Sequence, residues 1–328
     1  MEKQPYIIGE YSNGNYSVKI FSNGTKIRET FDENAKEFIS EFPESMDVKI
    51  TNQCDMGCPF CHENSTASGK HGDIIRDEFI SSIHPFTEVA IGGGNPLAHP
   101  DLIEFLHRLK RRNIIANMTV NQNHLIKDED GDRLVRRLVE EELIHGVGVS
   151  LTNAGDPKLH EFLKDTPNAV LHVIAGIVSK EDFVKLSYRN IKLLILGYKH
   201  VRRGESYFNQ YPKDIQSKIE YMKRNLRMLY SMFEVVSFDN LAIKQLDVKN
   251  SLQKSDWDEF YMGDDGQHTM YIDLVENVYA PSSTSKDRVP IPDSQYVVDM
   301  FEAVKKISAT AAKGGMVPPV VGTERGEK

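Results

Sequence analysis

Asp47-Val48-Lys49-Ile50-Thr51-Asn52-Gln53-Cys54-Asp55-Met56-Gly57-Cys58-Pro59-Phe60-Cys61-His62-Glu63 holds every cysteine of a 328-residue chain. A short apolar strand, Asp47–Thr51, runs directly into three thiols within eight residues. The thiols therefore occupy a loop at the strand's C-terminal end. Thiolates this close repel one another and are stable together mainly on a metal. Three protein ligands leave one coordination position open on a tetrahedral zinc or on one iron of a cubane cluster. Structural zinc sites are usually closed by four ligands. His62 adjoins Cys61 and is awkward for the same metal, and His71 lacks a compact spacing. An open position implies either a catalytic metal or an external ligand.

Composition narrows the alternatives. At roughly 150 residues per domain the length allows two domains, or one α/β barrel with additions. Forty per cent hydrophobic residues excludes wholesale disorder. Forty basic against 48 acidic side chains, a net charge of −8, argues against general nucleic-acid or membrane-surface binding. No apolar run approaches the ~18 residues needed to span a bilayer. Met1-Glu2-Lys3-Gln4-Pro5 opens without the apolar stretch of a secretory signal. An odd cysteine count excludes a disulfide scaffold. A cytoplasmic location, with no membrane partner, is the expectation.

On either side of the thiol loop the patterning changes. Asn13-Gly14 and Asn23-Gly24 suit tight hairpin turns and predict a three-stranded meander within the first thirty residues. Residues 33–45 read as a connector with one short helix. From Asp47 onward, apolar strands alternate with amphipathic segments. The strands are expected at 47–51, 88–92, 114–120, 146–151, 169–178 and 191–197. Helices are expected near 73–85, 100–112, 128–144, 156–165 and 180–188. Six such repeats predict an α/β fold, a partial (β/α)6 TIM-like barrel whose chemistry gathers at the C-terminal strand ends. A doubly wound sheet is the competing architecture. Beyond Gly204, a helix is expected over 212–232, a strand within 235–246, a hairpin at 270–279 and a last helix at 295–308. Residues 322–328 read as a frayed polar end. The expected division is a meander and connector (1–46), a barrel core (47–204) and an α+β extension closing the barrel (205–328).

The Cys-x3-Cys-x2-Cys spacing resembles that of the radical S-adenosylmethionine (radical SAM) enzymes. The resemblance implies that Cys54, Cys58 and Cys61 hold a [4Fe-4S] cluster whose fourth iron is chelated by the amino and carboxylate groups of S-adenosylmethionine (SAM). It also implies that Phe60, just before the last cysteine, lies against the adenine. A second element is similar. Ile91-Gly92-Gly93-Gly94-Asn95-Pro96 resembles the family's Gly-Gly-Glu-Pro segment, with Gly93, Gly94, Asn95 and Pro96 in the matching places. Here Asn95 stands where an acidic residue is common; an amide keeps an acceptor but loses the charge. Further likenesses place Asn121 (in Thr119-Val120-Asn121-Gln122), Ser150 (in Val149-Ser150-Leu151) and Ile177 (in Ile174-Ala175-Gly176-Ile177-Val178) at later strand ends, implying SAM contacts. The likeness covers roughly residues 47–204.

The implied activity is reductive cleavage of SAM to a 5′-deoxyadenosyl radical that abstracts hydrogen from a peptide or protein. An external flavodoxin- or ferredoxin-like electron donor would be the redox partner. Alternatives are a nucleotide or small-molecule substrate, a glycyl-radical activase, or a non-catalytic zinc or iron–sulfur protein. With no cysteine after residue 61, an auxiliary cysteine-ligated cluster is excluded, and the C-terminal third reads as a lid. Lys199-His200-Val201-Arg202-Arg203-Gly204 has two readings, a solvated basic loop or a binder of a carboxylate or phosphate. Glu63, Asn64, Ser65 and Lys70 stand beside the cysteines without an assignable role.

Overall fold

A computed structural model describes residues 4–127 and 129–312; the polar end at 322–328 lies outside them. The expected meander is an antiparallel sheet of β1 (Ile7–Asn13), β2 (Tyr16–Phe21) and β3 (Lys26–Thr30). Its turns use the positive φ of Gly14 and Gly24, as the Asn-Gly pairs require. The second sheet has ten strands: β4 (Ser45–Thr51), β5 (Glu88–Gly93), β6 (Ile115–Asn121), β7 (Gly146–Ser150), β8 (Ala169–Ile174), β9 (Lys192–Leu196), β10 (Val235–Phe238), β11 (Thr269–Asp273), β12 (Val278–Ala280) and β13 (Val289–Pro290). The six expected strands, β4 to β9, are adjacent, sequential and parallel. The sheet continues past both ends of that set. β10 adds in parallel to β9, and β11 in parallel to β4, followed by antiparallel β12 and β13. Its outer strands do not pair with each other, so the barrel is open.

Strand alternation explains the layers. On β6, Ala116, Met118 and Val120 are buried beneath the helices, whereas Asn117, Thr119 and Asn121 stand on the opposite, inner face and are only partly covered. β4 repeats this, with Met46, Val48 and Ile50 buried outward and Asp47, Lys49 and Thr51 inward. The outer face meets helices such as Leu102–Arg111 and Pro157–Asp165 through Phe105, Leu106, Leu159 and Phe162 in one continuous core. The inner face is mixed: Lys49, Asn117, Thr119 and His172 stand there beside Ala90, Val170, Ile174 and Leu194.

Several elements differ locally from expectation. Residues 33–45 form no helix, and their chain is held by Asn13 and Asn15 side chains bonded to residues 37, 39, 41 and 42. The helix expected at 73–85 is confined to Asp77–Ser82, because residues 71 and 72 run extended against the end of β4. β8 stops at Ile174, where Gly176 turns at φ +85°. The 212–232 helix is two, Pro212–Arg224 and Leu226–Met232, separated at Asn225, whose amide bonds back to Tyr221 O. After β10, Asp239 caps a helix over Asn240–Leu246 that the apolar run concealed. The final helix spans Val297–Ala312.

Glu44, 1% exposed, fastens the meander to this sheet. Its carboxylate meets the Arg28 guanidinium at 2.8 Å and Lys26 Nζ at 3.3 Å, and accepts from the Tyr16 hydroxyl at 2.6 Å. Its backbone N–H donates to His268 O just before β11, and its carbonyl accepts from Glu88 N at the start of β5. Burial opposes its ionisation, but Lys26 and Arg28 prevail and hold its carboxyl below the usual range. Glu44→Ala strands the buried Arg28 guanidinium, leaves Lys26 on Glu88 alone, and is expected to cost about 3–5 kcal/mol in urea unfolding at pH 7. A folded-state pKa below the unfolded value of about 4.3 confers stability present above that pH and lost as pH falls through the folded value. The wild-type advantage is therefore expected to shrink below about pH 4.

Candidate cluster and cofactor site

The thiol loop is shaped by backbone bonds to the segment that follows it. Cys54 N donates to Thr66 O at 2.8 Å, Thr66 N to Asn52 O, and Asn52 N to Lys70 O. Gly69 lies so close that a Cβ there would stand 1.9 Å from Asn52 O. Between these ties the chain turns at Gly57, with φ +61°, and again where Cys61 N donates to Cys58 O. Cys54, Cys58 and Cys61 are all free and partly exposed. Burial pushes the Cys58 thiol up, and its two neighbouring thiols push it further. Burial likewise raises Cys54. Three thiols presented by one turn, where Cys54 and Cys58 are hard to ionise alone, fit a cationic iron–sulfur cluster.

The glycine segment docks onto this loop. Gly94 N donates to Thr51 O and Asn95 N to Gln53 O, each at 2.7 Å. A Cβ on Gly93 (φ +111°) would come within 2.4 Å of Thr51 O, and one on Gly94 within 2.2 Å of Gln53 O. These two glycines are therefore required first by the loop's own backbone. The Asn95 side-chain oxygen accepts from Leu97 N and caps a single turn, Pro96–Ala98, with Pro96 buried. That leaves its amide N–H groups as the side chain's donors toward a ligand.

The remaining expected residues line the same rim. Thr51 is in register with Gly93, and Asn121 with Ser150. The Asn121 side-chain oxygen accepts from Asn123 N and from Thr152 Oγ1, capping the helix Gln122–Ile126. Ser150 ends β7, partly buried, with no side-chain partner among the described residues. Ile177 lies in the turn after β8, with its N–H bonded to Ile174 O. Phe60 meets Tyr207 edge-on, ring centroids 5.8 Å apart.

A buried ionic network beneath the loop was not anticipated. Lys49 Nζ, on the inner face of β4, lies 2.9 Å from Glu63 Oε2 and 3.1 Å from Asp273 Oδ2. The three side chains are 2%, 6% and 0% exposed. Glu63 also meets His62 Nε2 at 3.1 Å and Arg202 at 3.3 Å. Burial works against its ionisation, yet the His62 ring and the Lys49 ammonium hold its carboxyl far below the usual range. The signal in the sequence was Lys49 itself, a cation inside an apolar strand. Its partner Asp273, 224 positions away, carried none.

The basic loop after β9 follows neither of its two readings. Arg202 donates to His62 O, Arg203 to Ser65 O, and Lys199 Nζ lies 3.2 Å from His62 Nε2 and 2.9 Å from Ser283 Oγ. Its cations grip the thiol loop. His62 and His71 are both committed within the protein, the latter to Thr51 Oγ1 at 2.9 Å. His124, nearly buried, meets Asp55 Oδ1 at 2.8 Å, and both stand with Cys54 in one cluster of potential ligand atoms within 4.8 Å. Spacing could not reveal His124, because it arrives from the helix after β6.

Comparison with known proteins bears on this geometry. The family model described as the radical SAM superfamily matches residues 48–180. A PqqA peptide cyclase of Gluconobacter oxydans is 25% identical over 81 residues, which is 23% of each protein's length. The crystal structure of Streptococcus suis SuiB superposes with a TM-score of 0.56 at 15% identity, covering 93% of this chain and 89% of that one. SuiB bound to its precursor peptide SuiA superposes at 0.51 and 16% identity, covering 81% and 67%. At that identity the likeness to SuiB is one of fold. The match to the radical SAM superfamily model thus falls on residues 48–180, the part of the chain that contains the three cysteines and the glycine segment docked on them.

Proposed function

We propose that this protein is a radical SAM enzyme that modifies a peptide. The observation that carries the proposal is the thiol loop docked on Gly93 and Gly94 at the C-terminal rim of a parallel sheet. Cys54, Cys58 and Cys61 would hold three irons of a [4Fe-4S] cluster, leaving the fourth for SAM. When bound, that pair supplies a 5′-deoxyadenosyl radical able to abstract a hydrogen atom.

The chain's own contribution is positional. Lys49, Glu63 and Asp273 hold the loop in place, and Arg202 and Arg203 clamp it from above. Asn95 offers amide donors and Ser150 an uncommitted hydroxyl to the methionyl end of SAM. Asn121, Ile177 and Phe60 bound the adenosyl side, with Phe60 kept in place by Tyr207. The extension over 205–328 contributes a closing segment, since Ser283 meets Lys199 and Arg288 bonds to Ser283 O and lies 3.5 Å from Asp273. On this reading the chain divides into 1–46, 47–204 and 205–328. The cluster would receive its electron from an external flavodoxin- or ferredoxin-like donor, and the free thiols suit the reducing cytoplasm. No helix among the described residues is long and apolar enough to cross a membrane.

A peptide substrate is favoured by the likeness of this chain to PqqA peptide cyclase and to SuiB, whose complex with a precursor peptide shares its fold. The meander offers unpaired edges at β1 and β3, flanked by exposed Ile27 (48%) and Phe31 (62%), to which an extended peptide can add as a strand. The basic loop would have favoured a phosphorylated small molecule, but its cations are occupied.

Four experiments test these assignments. Anaerobic reconstitution with iron and sulfide, followed by reduction with SAM present, is expected to yield 5′-deoxyadenosine; a protein with a full cluster that makes none is not such an enzyme. Replacing any of Cys54, Cys58 or Cys61 by alanine should abolish that product together with the cluster. Lys49→Met leaves two buried carboxylates facing each other and is expected to lower stability by about 3–5 kcal/mol and reduce the iron retained per chain. Candidate precursor peptides are expected to bind Ile27→Glu and Phe31→Glu variants more weakly, by fluorescence anisotropy; equal affinity would remove the meander edge from the peptide path.

A further inference from the structure

Arg203, which begins the helix Arg203–Gln210, carries a buried hydrogen-bond donor with no acceptor. Its guanidinium donates through Nη2 to Ser65 O at 2.5 Å, but its Nε is sealed from solvent and has no partner among the described residues. A guanidinium cannot shed that proton, and a buried donor left unpaired costs free energy. Groups of this kind in a folded protein are normally met by protein, water or ligand.

The surroundings of Arg203 are those of the thiols. Ser65 lies directly on the thiol loop: its hydroxyl donates to Asn52 Oδ1, and the next residue, Thr66, accepts from Cys54 N. The chain beside Arg203 is pressed against the same loop. A Cβ on Gly204 would stand 2.3 Å from Lys199 O and 3.5 Å from Phe60 O. Burial is the chief influence on the Cys54 and Cys58 thiols and raises both; the cation that pulls both the other way is Arg203. The turn that delivers it is strained, since Arg202 holds φ +53° with ψ −127°, a conformation that favours glycine.

Charge separates Arg203 from its neighbours. Arg202 meets Glu63 at 3.3 Å, and Lys49 meets both Glu63 and Asp273. Lys199 bonds to His62 and Ser283. Arg203 has only the neutral Ser65 O, and no carboxylate within ion-pair distance among the described residues. A partly buried cation in such a place favours an anion beside it. Arg203 lacks one only while the thiols are protonated. Three thiolates around a dicationic [4Fe-4S] core make a net anion, and reduction adds a further negative charge. Hydrogen bonds to the sulfurs and the local charge are levers by which a protein sets the potential of such a cluster.

We propose that Arg203 donates its buried Nε–H to a sulfur of the bound [4Fe-4S] cluster and, as the counter-charge of that cluster, raises its reduction potential. The proposal rests on the cluster assigned above, and not on what the cluster then does to SAM.

The test reads the cluster itself, in the full reconstituted chain without SAM. Protein made with isotopically labelled arginine and then reduced is expected to show a labelled-nitrogen coupling to the cluster in pulsed electron paramagnetic resonance. Arg203→Lys, which keeps the charge and removes the Nε–H, should lose that coupling, and Arg202→Lys should keep it. In a redox titration, Arg203→Gln is expected to disfavour the reduced cluster by about tenfold, a fall of about 59 mV for one electron, and Arg203→Lys by less. No arginine coupling in the wild-type protein, a coupling retained by Arg203→Lys, or an Arg203→Gln potential equal to wild type overturns the proposal. An unchanged potential with weakened SAM binding would give the guanidinium to SAM instead. If Arg203→Lys holds no cluster, a coupling that survives Arg202→Lys still assigns it to Arg203, the other arginine on the loop, and one that disappears overturns the proposal. A chain that shows the coupling but makes no 5′-deoxyadenosine keeps this assignment and loses the enzyme reading. One that makes 5′-deoxyadenosine with no arginine coupling does the reverse.

Discussion

Lys49 carries a single ammonium group, nearly without solvent, between the carboxylates of Glu63 and Asp273. Removing three charges from water is expensive, and the arrangement persists only because each oxygen is otherwise satisfied. Asp273 Oδ1 accepts the N–H groups of Val275 and Glu276, and Oδ2 accepts from the Tyr271 hydroxyl. Glu63 meets His62 and Arg202 in addition. The network joins three distant pieces of chain: the first barrel strand, the loop bearing the thiols, and a strand from the C-terminal third. The thiol loop is therefore not a surface excursion. Its last turn is bolted to the inner face of the sheet, and moving it would separate buried charges.

The extension and the meander follow from the same economy of unpaired groups. β11 covers the edge of β4 that an isolated six-stranded set would leave open, and so supplies Asp273 from a backbone already hydrogen-bonded in register. At the opposite end the meander places its second turn beneath the inner face and is held by Glu44 through Lys26 and Arg28. Apolar side chains fill the space between sheet and helices. The inner face carries polar groups beside apolar ones, and its buried charges, Lys49, Glu63 and Asp273, are bonded to one another. A fold arranged in this way keeps its stability on the outside and its chemistry within.

Much of this could be read along the chain, and the part that could not has a common cause. Asn13-Gly14 and Asn23-Gly24 located the meander because positive φ is a local demand. Alternating strands and helices between residues 47 and 197 located the parallel set, and the cysteine spacing located the site. Asn225 escaped notice because the apolar period runs on through a break made by one side-chain amide. The helix after Asp239 was hidden by continuous apolarity, which strand and helix share. Gly93 and Gly94 were placed only by likeness to the family's glycine segment, whereas their closest neighbours are Thr51 O and Gln53 O. The partners of Lys49, Arg202 and His124 were invisible for a simpler reason. Contacts between side chains remote in sequence leave no periodic trace.

The central claim is that three cysteines bind the cluster and leave one iron open to SAM. Electron paramagnetic resonance of the reduced, reconstituted protein reports on that iron directly. The account predicts that adding SAM changes the g values of the cluster signal, because a new ligand reaches an open position. A spectrum that stays the same under saturating SAM would mean that the fourth position is already closed by the protein, and would contradict it.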